Sequence, residues 1–261
     1  MAWQVSLSSL TKSALAQNVS DYLSKDTDEY ALIKELMARH HLSRVYRFDI
    51  GKNTDGYSDL IAGVLEMADL AALCRENLVE YPDNHYLMLL ERMASIFKLT
   101  PSCFAISAGL ECMIDHISRS FLQQDSYFIL PIPNFSVFES FSLRTGARPL
   151  YLHLDKDQGF QWTEQTVEKM LGLINKKQPA LVWISNPVNP TGQDLPLSWI
   201  KEMTEQAQMT NTAIVVDEAY GEYTDPDYGR QGAFSLIPSY PNLMVLRTFS
   251  KIHALPSIRV G

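Results

Sequence analysis

The sequence predicts an α/β protein of three layers, with helices on both faces of a mainly parallel β-sheet. Two observations carry that expectation. From about residue 103 onward, short apolar runs of strand length alternate with longer stretches whose apolar residues recur every three or four positions. The runs are apolar almost throughout, as in strands covered on both faces, rather than polar at every second residue. Right-handed crossovers then bring the strand C-termini, and the loops after them, to one edge of the sheet.

Taken in order, residues 1–45 read as helical, because LSSLTKSALAQNVSDYLSK and DEYALIKELMARHHL carry the helical spacing with Asp and Thr at plausible starts. VYRFDI (45–50) reads as a short strand, and a second helical zone covers roughly 58–98. CFAIS (103–107) is the next expected strand, followed by a helix from GLECMIDHISRSFL. SYFILPI (126–132) precedes the helix of NFSVFESFSLRTG, and PLYLHL (149–154) precedes WTEQTVEKMLGLI. ALVWIS (180–185) precedes LPLSWIKEMTEQAQ, AIVVD (213–217) leads into a short helical or loop stretch, and LMVLRTF (243–249) closes the series. The chain shows neither an internal repeat nor a low-complexity segment.

Composition narrows the function classes. With 46% hydrophobic and 20% charged residues, the 261-residue chain is ordinary globular material. A formal net charge of -8 argues against nucleic acid or an anionic membrane as the main partner. The start lacks a basic region followed by a continuous apolar stretch, so no signal peptide is expected, and no apolar run has bilayer-spanning length. Cys74, Cys103 and Cys112 are odd in number and unpaired in spacing, so neither a disulfide framework nor a metal site is expected, and a cytoplasmic setting fits.

The residues that carry chemistry fall at strand ends. SNPVNPTG (185–192) follows the ALVWIS strand; one Asn-Pro is an ordinary turn, but a doubled one followed by Thr-Gly is rarer, and its proline rings stiffen the backbone around Asn189. VVDEAYGEY (215–223) ends an apolar strand on Asp217, an expensive place for a carboxylate unless a cation or donor meets it. Tyr220, three positions on, reaches the same edge; alone it would pass for a packed aromatic. RTFSKIHALPSIRVG (247–261) delivers Thr248, Ser250 and Lys251 there. Most lysines are solvated, but one carried into a cleft by a buried strand becomes a nucleophilic amine as its pKa falls. Two hydroxyls and the guanidinium of Arg259 suit a phosphate. SAGLECMIDHI (107–117) adds free amides of Gly109, Leu110 and Glu111 at a helix start, a ready anion site.

SNPVNPTG, VVDEAYGEY and RTFSKIHALPSIRVG, in that order, resemble the fold type I pyridoxal-phosphate enzymes, specifically the class I/II aminotransferases of the histidinol-phosphate aminotransferase-like branch. The resemblance covers roughly residues 48–261. It implies the aspartate aminotransferase-like large domain over 46–261, preceded by an N-terminal helical segment at 1–45. It also implies pyridoxal 5′-phosphate as cofactor, with Lys251 forming the Schiff base to its aldehyde and then moving a proton. Asp217 would pair with the ring nitrogen, and Asn189 and Tyr220 with the ring oxygen. The Gly109, Leu110 and Glu111 amides with Thr248, Ser250 and Arg259 would hold the phosphate. Phe135, in IPNFSVF, matches the aromatic over the ring, where a tyrosine is more usual. Tyr81, in VEYPDNHY, matches the tyrosine that reaches a neighbouring subunit's phosphate, which implies a homodimer. Asn53, in FDIGKN, matches the N-terminal substrate-side segment.

Two features depart from the family pattern. Pro256-Ser257 stands where a small residue and glycine are usual. Family members also continue past the position of Gly261 into the rest of the large domain and a small C-terminal domain, which holds the arginine for the substrate carboxylate. The expected activity is transfer of an amino group between an amino acid, or an amino-acid-like phosphate, and a 2-oxo acid by a ping-pong mechanism. A decarboxylase of the same fold, or an inactive fragment that keeps the cofactor cradle, remains compatible with the same motifs.

Overall fold

The computed structural model describes residues 29–45, 51, 53, 55–68, 81, 83–224 and 232–261. Helix α1 (Glu29–His40) is the described part of the expected N-terminal helical segment; residues 1–28 of that segment, and most of the strand expected at 45–50, lie outside the described residues. The helical zone at 58–98 contains two helices, α2 (Asp59–Met67) and α3 (Leu87–Phe97), with 69–80 outside the described residues.

Strands and helices then alternate as the sequence predicts. Helix α4 (Leu110–Phe121) is followed by β1 (Tyr127–Ile132), α5 (Ser136–Arg144), β2 (Arg148–His153), α6 (Glu164–Lys177), β3 (Leu181–Ser185), α7 (Leu197–Met209), β4 (Ala213–Asp217) and β5 (Leu243–Leu246). Local chemistry marks the boundaries. Thr163 caps α6 by accepting from the Thr166 amide while Thr166 reaches back to the cap, and Lys176 and Lys177 sit at the negative end of the same helix.

The five strands are all parallel in the order β2-β1-β3-β4-β5. Alternate side chains go to opposite faces, and each face has its own helices. Val182, Ile184, Ile214 and Val216 pack with Val167, Met170 and Ile174 of α6 and with Ile200 and Met203 of α7. Leu181, Trp183 and Val215 point the other way, onto Ile114 and Ile117 of α4 and Val137 and Phe138 of α5. Trp183 stacks on Phe138 at 4.8 Å, and its indole N–H donates to Ser142 Oγ at 2.9 Å. The three-layer αβα architecture is thus as expected.

Two expected strands differ. Residues 103–107 form no strand: Pro101–Cys103 is a 3₁₀ turn, the Cys103 and Phe104 amides bond back to Thr100 and Pro101, and Ser107 exchanges bonds with Gly261 (2.9 and 3.3 Å). LMVLRTF is strand only through Leu246, because at Arg247 the chain turns out of the ladder and Phe249 bonds instead to Val260 and Leu255 of its own loop. Strand order reverses between β1 and β3: β2 lies on one side of β1, and β3, β4 and β5 on the other. In open parallel sheets a ligand crevice lies beyond the strand C-termini at such a point.

Candidate functional site

A cleft of about 940 Å³ opens at that reversal, beyond the C-termini of β1, β3, β4 and β5. Its wall takes Asn134, Phe135 and Ser136 after β1, Ser185 and the Pro187–Pro190 loop with Gly192 at the end of β3, and Asp217, Ala219, Tyr220, Tyr223 and Thr224 at the end of β4, while Thr248, Ser250, Lys251, Pro256 and Arg259 follow β5. Leu110 and Glu111 enter from the start of α4, and Gly51 from the N-terminal side.

Asp217, the last residue of β4, has only 9% of its surface exposed. Burial pushes its carboxyl up to about 6, opposed by the Ala219 amide bonded to Oδ1 at 2.9 Å and by the positive charge of Lys251. A carboxylate in this position favours a cationic or proton-bearing partner. Lys251 Nζ lies 5.1 Å from the centre of the Tyr220 ring and donates to the Gly51 carbonyl at 2.8 Å. Gly51 has no room for a side chain, since a Cβ there would stand 2.0 Å from the Tyr220 hydroxyl. Asn53 donates to the Ile252 carbonyl at 3.0 Å, so residues 51 and 53 both dock onto the lysine loop.

At the opposite end, Gly109 precedes α4 with φ of +84°, and a Cβ there would meet Arg259 Nη2 at 2.2 Å. The bare glycine therefore lets the guanidinium lie against the helix start, where Arg259 also donates to the Pro256 carbonyl at 3.0 Å. Thr248 Oγ1 and Ser250 Oγ are 3.0 Å apart, and the Ser250 amide donates to Thr248 Oγ1 at 3.1 Å. One expectation is corrected: the Gly109 amide is not free. It closes a tight turn by donating to the Ser107 carbonyl at 2.8 Å, so the unbonded first-turn donors begin at Leu110, and Gly109 itself does not line the cleft.

Of the other residues singled out by sequence, Asn189 lines the cleft in a loop braced by the Gly192 amide to the Val188 carbonyl, and the peptide bonds before Pro187 and Pro190 are both cis. Phe135 lines the same wall, its ring edge-on to Phe138 at 5.6 Å. Tyr81 is not part of the cleft; it is 98% exposed. Sequence reasoning passed over Asn134, whose Oδ1 accepts from the Ser185 hydroxyl and the Phe135 amide and so joins the β1 and β3 loops. It also passed over Glu218 and Arg247, a buried ion pair behind the cleft. Acid and base at the ends of apolar runs were the available signal for that pair, since such charges are buried only when paired.

Among the described residues, no group of three or more His, Cys, Asp or Glu side chains is placed to hold a metal ion, and no helix is long and apolar enough to cross a membrane. The residues present do fit a flat ring with an anionic tail. A buried acid stands in the middle of the cleft, an amine lies beside it, and hydroxyls, a guanidinium and helix amides gather at one end.

The chain also resembles known proteins in sequence and in fold. The family model for aminotransferase class I and II matches residues 43–261. A histidinol-phosphate aminotransferase of Haloquadratum walsbyi is 32% identical over 213 residues, which is 81% of this chain and 53% of that protein. One from Listeria innocua is 29% identical over 228 residues, covering 87% of this chain and 59% of that protein. The chain thus spans little more than half the length of these curated relatives. Among solved structures, histidinol-phosphate aminotransferase from Sinorhizobium meliloti in complex with pyridoxal-5′-phosphate superposes with a TM-score of 0.71 at 21% identity, over 92% of this chain and 63% of that one. Aspartate aminotransferase from Thermotoga maritima gives 0.72 at 18% identity, over 98% and 65%. With the family model matching most of its length, the chain belongs to the class I and II aminotransferases.

Proposed function

We propose that this chain holds pyridoxal 5′-phosphate and serves a protein that moves an amino group between an amino acid, or an amino-acid-like phosphate, and a 2-oxo acid. The observation that supports the reading is the meeting of the buried acid Asp217, the amine of Lys251 and the donors around Arg259 in one cleft. When bound, the cofactor ring supplies the electron sink that lets an amino acid lose its Cα proton.

Each remaining task falls to a side chain of this protein. Lys251 would be the residue that holds the cofactor covalently by its aldehyde, and its amine, when free, would be the base that moves the substrate's Cα proton. Asp217 holds a proton on the ring nitrogen through its carboxylate. Asn189 and Tyr220 donate to the ring oxygen, and Phe135 packs on the ring face. Thr248, Ser250, Arg259 and the first-turn amides of α4 at Leu110 and Glu111 bind the phosphate, and Gly109 gives the guanidinium its approach. The matches to histidinol-phosphate aminotransferases favour an amino-acid-like phosphate among the possible substrates.

Assembly of two copies follows from the same reading, with Tyr81 reaching the partner's phosphate site; its 98% exposure supports that role. Free Cys103 and Cys112 suit a reducing cytoplasm.

The direct experiment adds pyridoxal phosphate to the purified chain and traps the adduct with borohydride. The expected result is a visible absorption band and a reduced cofactor on the peptide containing Lys251, with Lys251→Ala losing both. A Lys251→Ala protein that still traps the cofactor would overturn the assignment. Amino donors that release carbon dioxide, rather than passing nitrogen to an oxo acid, would identify a decarboxylase instead.

A further inference from the structure

Behind the cleft, on the side away from the cofactor-suited residues, lies a charged cluster that the proposed chemistry does not use. Glu218 and Arg247 are each the first residue beyond their strands, β4 and β5, and the Glu218 amide donates to the Leu246 carbonyl at 2.9 Å, extending the ladder by one bond. The Glu218 side chain is fully buried. One oxygen accepts from the Ala233 amide at 2.5 Å, and the other meets Arg247 Nη1 at 3.2 Å. The second arm of the same guanidinium bonds Glu222 Oε1. Phe97 and Phe234 lie against the guanidinium, with ring centres at 5.4 and 5.8 Å.

The connectivity of this cluster gives it more than a stabilising part. Arg247 bridges two carboxylates, Glu218 and Glu222, that bracket Tyr220, and Glu218 directly follows Asp217. Arg247 in turn directly precedes Thr248 and lies four residues before Lys251. One rigid fork therefore ties the segment carrying Asp217 and Tyr220 to the segment carrying Thr248, Ser250 and Lys251. A buried ion pair adds little net stability compared with apolar packing, and its better-attested use is to specify one arrangement.

We propose that Arg247, through its fork to Glu218 and Glu222, is a positioning residue that sets Tyr220 and Asp217 against Lys251. This inference rests on the cofactor reading above. A lysine at the same place keeps the charge but can reach only one of the two carboxylates as a point donor, so it separates geometry from charge. Small misplacement of reacting groups is expensive, on the order of 10²-fold in rate.

The test compares wild type, Arg247→Lys, Glu222→Gln and Phe97→Leu, each reconstituted with pyridoxal phosphate. The readouts are unfolding midpoint, cofactor affinity and the pH midpoint of the visible band, which reports the hydrogen-bond partners around the lysine. Phe97→Leu removes ring packing against the guanidinium but leaves both hydrogen-bonded arms of the fork in place, so it should lower the unfolding midpoint and leave the pH midpoint where it was. Arg247→Lys should move the pH midpoint and weaken cofactor binding by roughly tenfold, and Glu222→Gln, which loses one arm, should move both in the same direction by less. If Arg247→Lys does not fold, Glu222→Gln decides alone, because Glu222 lies nearer the surface than Glu218. Variants that lose only thermal stability, with affinity and pH midpoint unchanged, would reduce the cluster to a structural pair. A wild-type chain with no visible band would instead refute the cofactor reading itself.

Discussion

Helices α7 and α2 are both amphipathic on paper, yet they meet different fates. In α7, Ile200, Met203 and Ala207 have no exposed surface and close one face of the sheet. In α2 no residue is buried, and Leu60 and Met67 are 79% and 89% exposed. Helices α4 to α7 thus bury their apolar faces against the sheet, while the apolar face of α2 is not covered within the described residues. An apolar stripe says that a face wants covering, but not what covers it.

Mutations inside and outside the sheet test this contrast most directly. Phe138→Ala removes the ring stacked on Trp183 and should lower stability by about 3–5 kcal/mol in urea unfolding, because the packed layer cannot collapse into the gap. A loss under about 1 kcal/mol would mean that the sheet's second face is far looser than its burial indicates.

Asp217 should give the next largest effect. Its pKa is raised from the ordinary 3.8 to about 6 by burial, so the folded chain binds that proton more tightly than the unfolded one. The stability it contributes is therefore fullest at low pH and is lost as pH rises from about 4 to about 6, by up to about 3 kcal/mol without cofactor. Asp217→Asn should flatten that slope in urea titrations at several pH values. If both proteins show the same slope, the carboxyl is not held protonated by its surroundings.

Smallest of all should be the response of α2. Leu60→Ser combined with Met67→Ser is expected to change urea stability by no more than about 0.5 kcal/mol at high dilution. The same pair should weaken self-association measured by sedimentation, if this face lies where two copies meet. Loss of folding in the dilute protein would show instead that α2 is covered from within the chain.

How much of this was legible beforehand depended on whether a residue's role was local or relational. The strands β1, β3 and β4 and their helices were readable because a buried parallel strand must be apolar on both faces, and ALVWIS and AIVVD are. Asp217 and Lys251 stood out because polar groups delivered by apolar strands need partners, Asn189 because of its doubled Asn-Pro turn, and Arg259 as a phosphate-suited guanidinium; all four line the cleft. The free amide expected at Gly109 was not readable, since whether it turns back onto Ser107 is a matter of backbone angle rather than composition. Strand length at 243–249 failed for a similar reason: Arg247 leaves the ladder for Glu218 and Glu222, partners about 25 to 29 residues earlier in sequence. Gly51 was invisible for the opposite reason, because its use lies in the side chain it lacks beside Tyr220.

The bond from Lys251 to the Gly51 carbonyl spans 200 positions, and that from Arg259 to the Ala108 carbonyl spans 151. A cleft closed by such distant pairs has no partial version, since every segment must arrive before the last donor is in place. Cofactor that requires the whole set binds only finished molecules and draws the folding equilibrium toward them. The yellow of a bound pyridoxal group would then serve as a gauge of chain maturity, rising only in the fraction where sequence ends and middle have met.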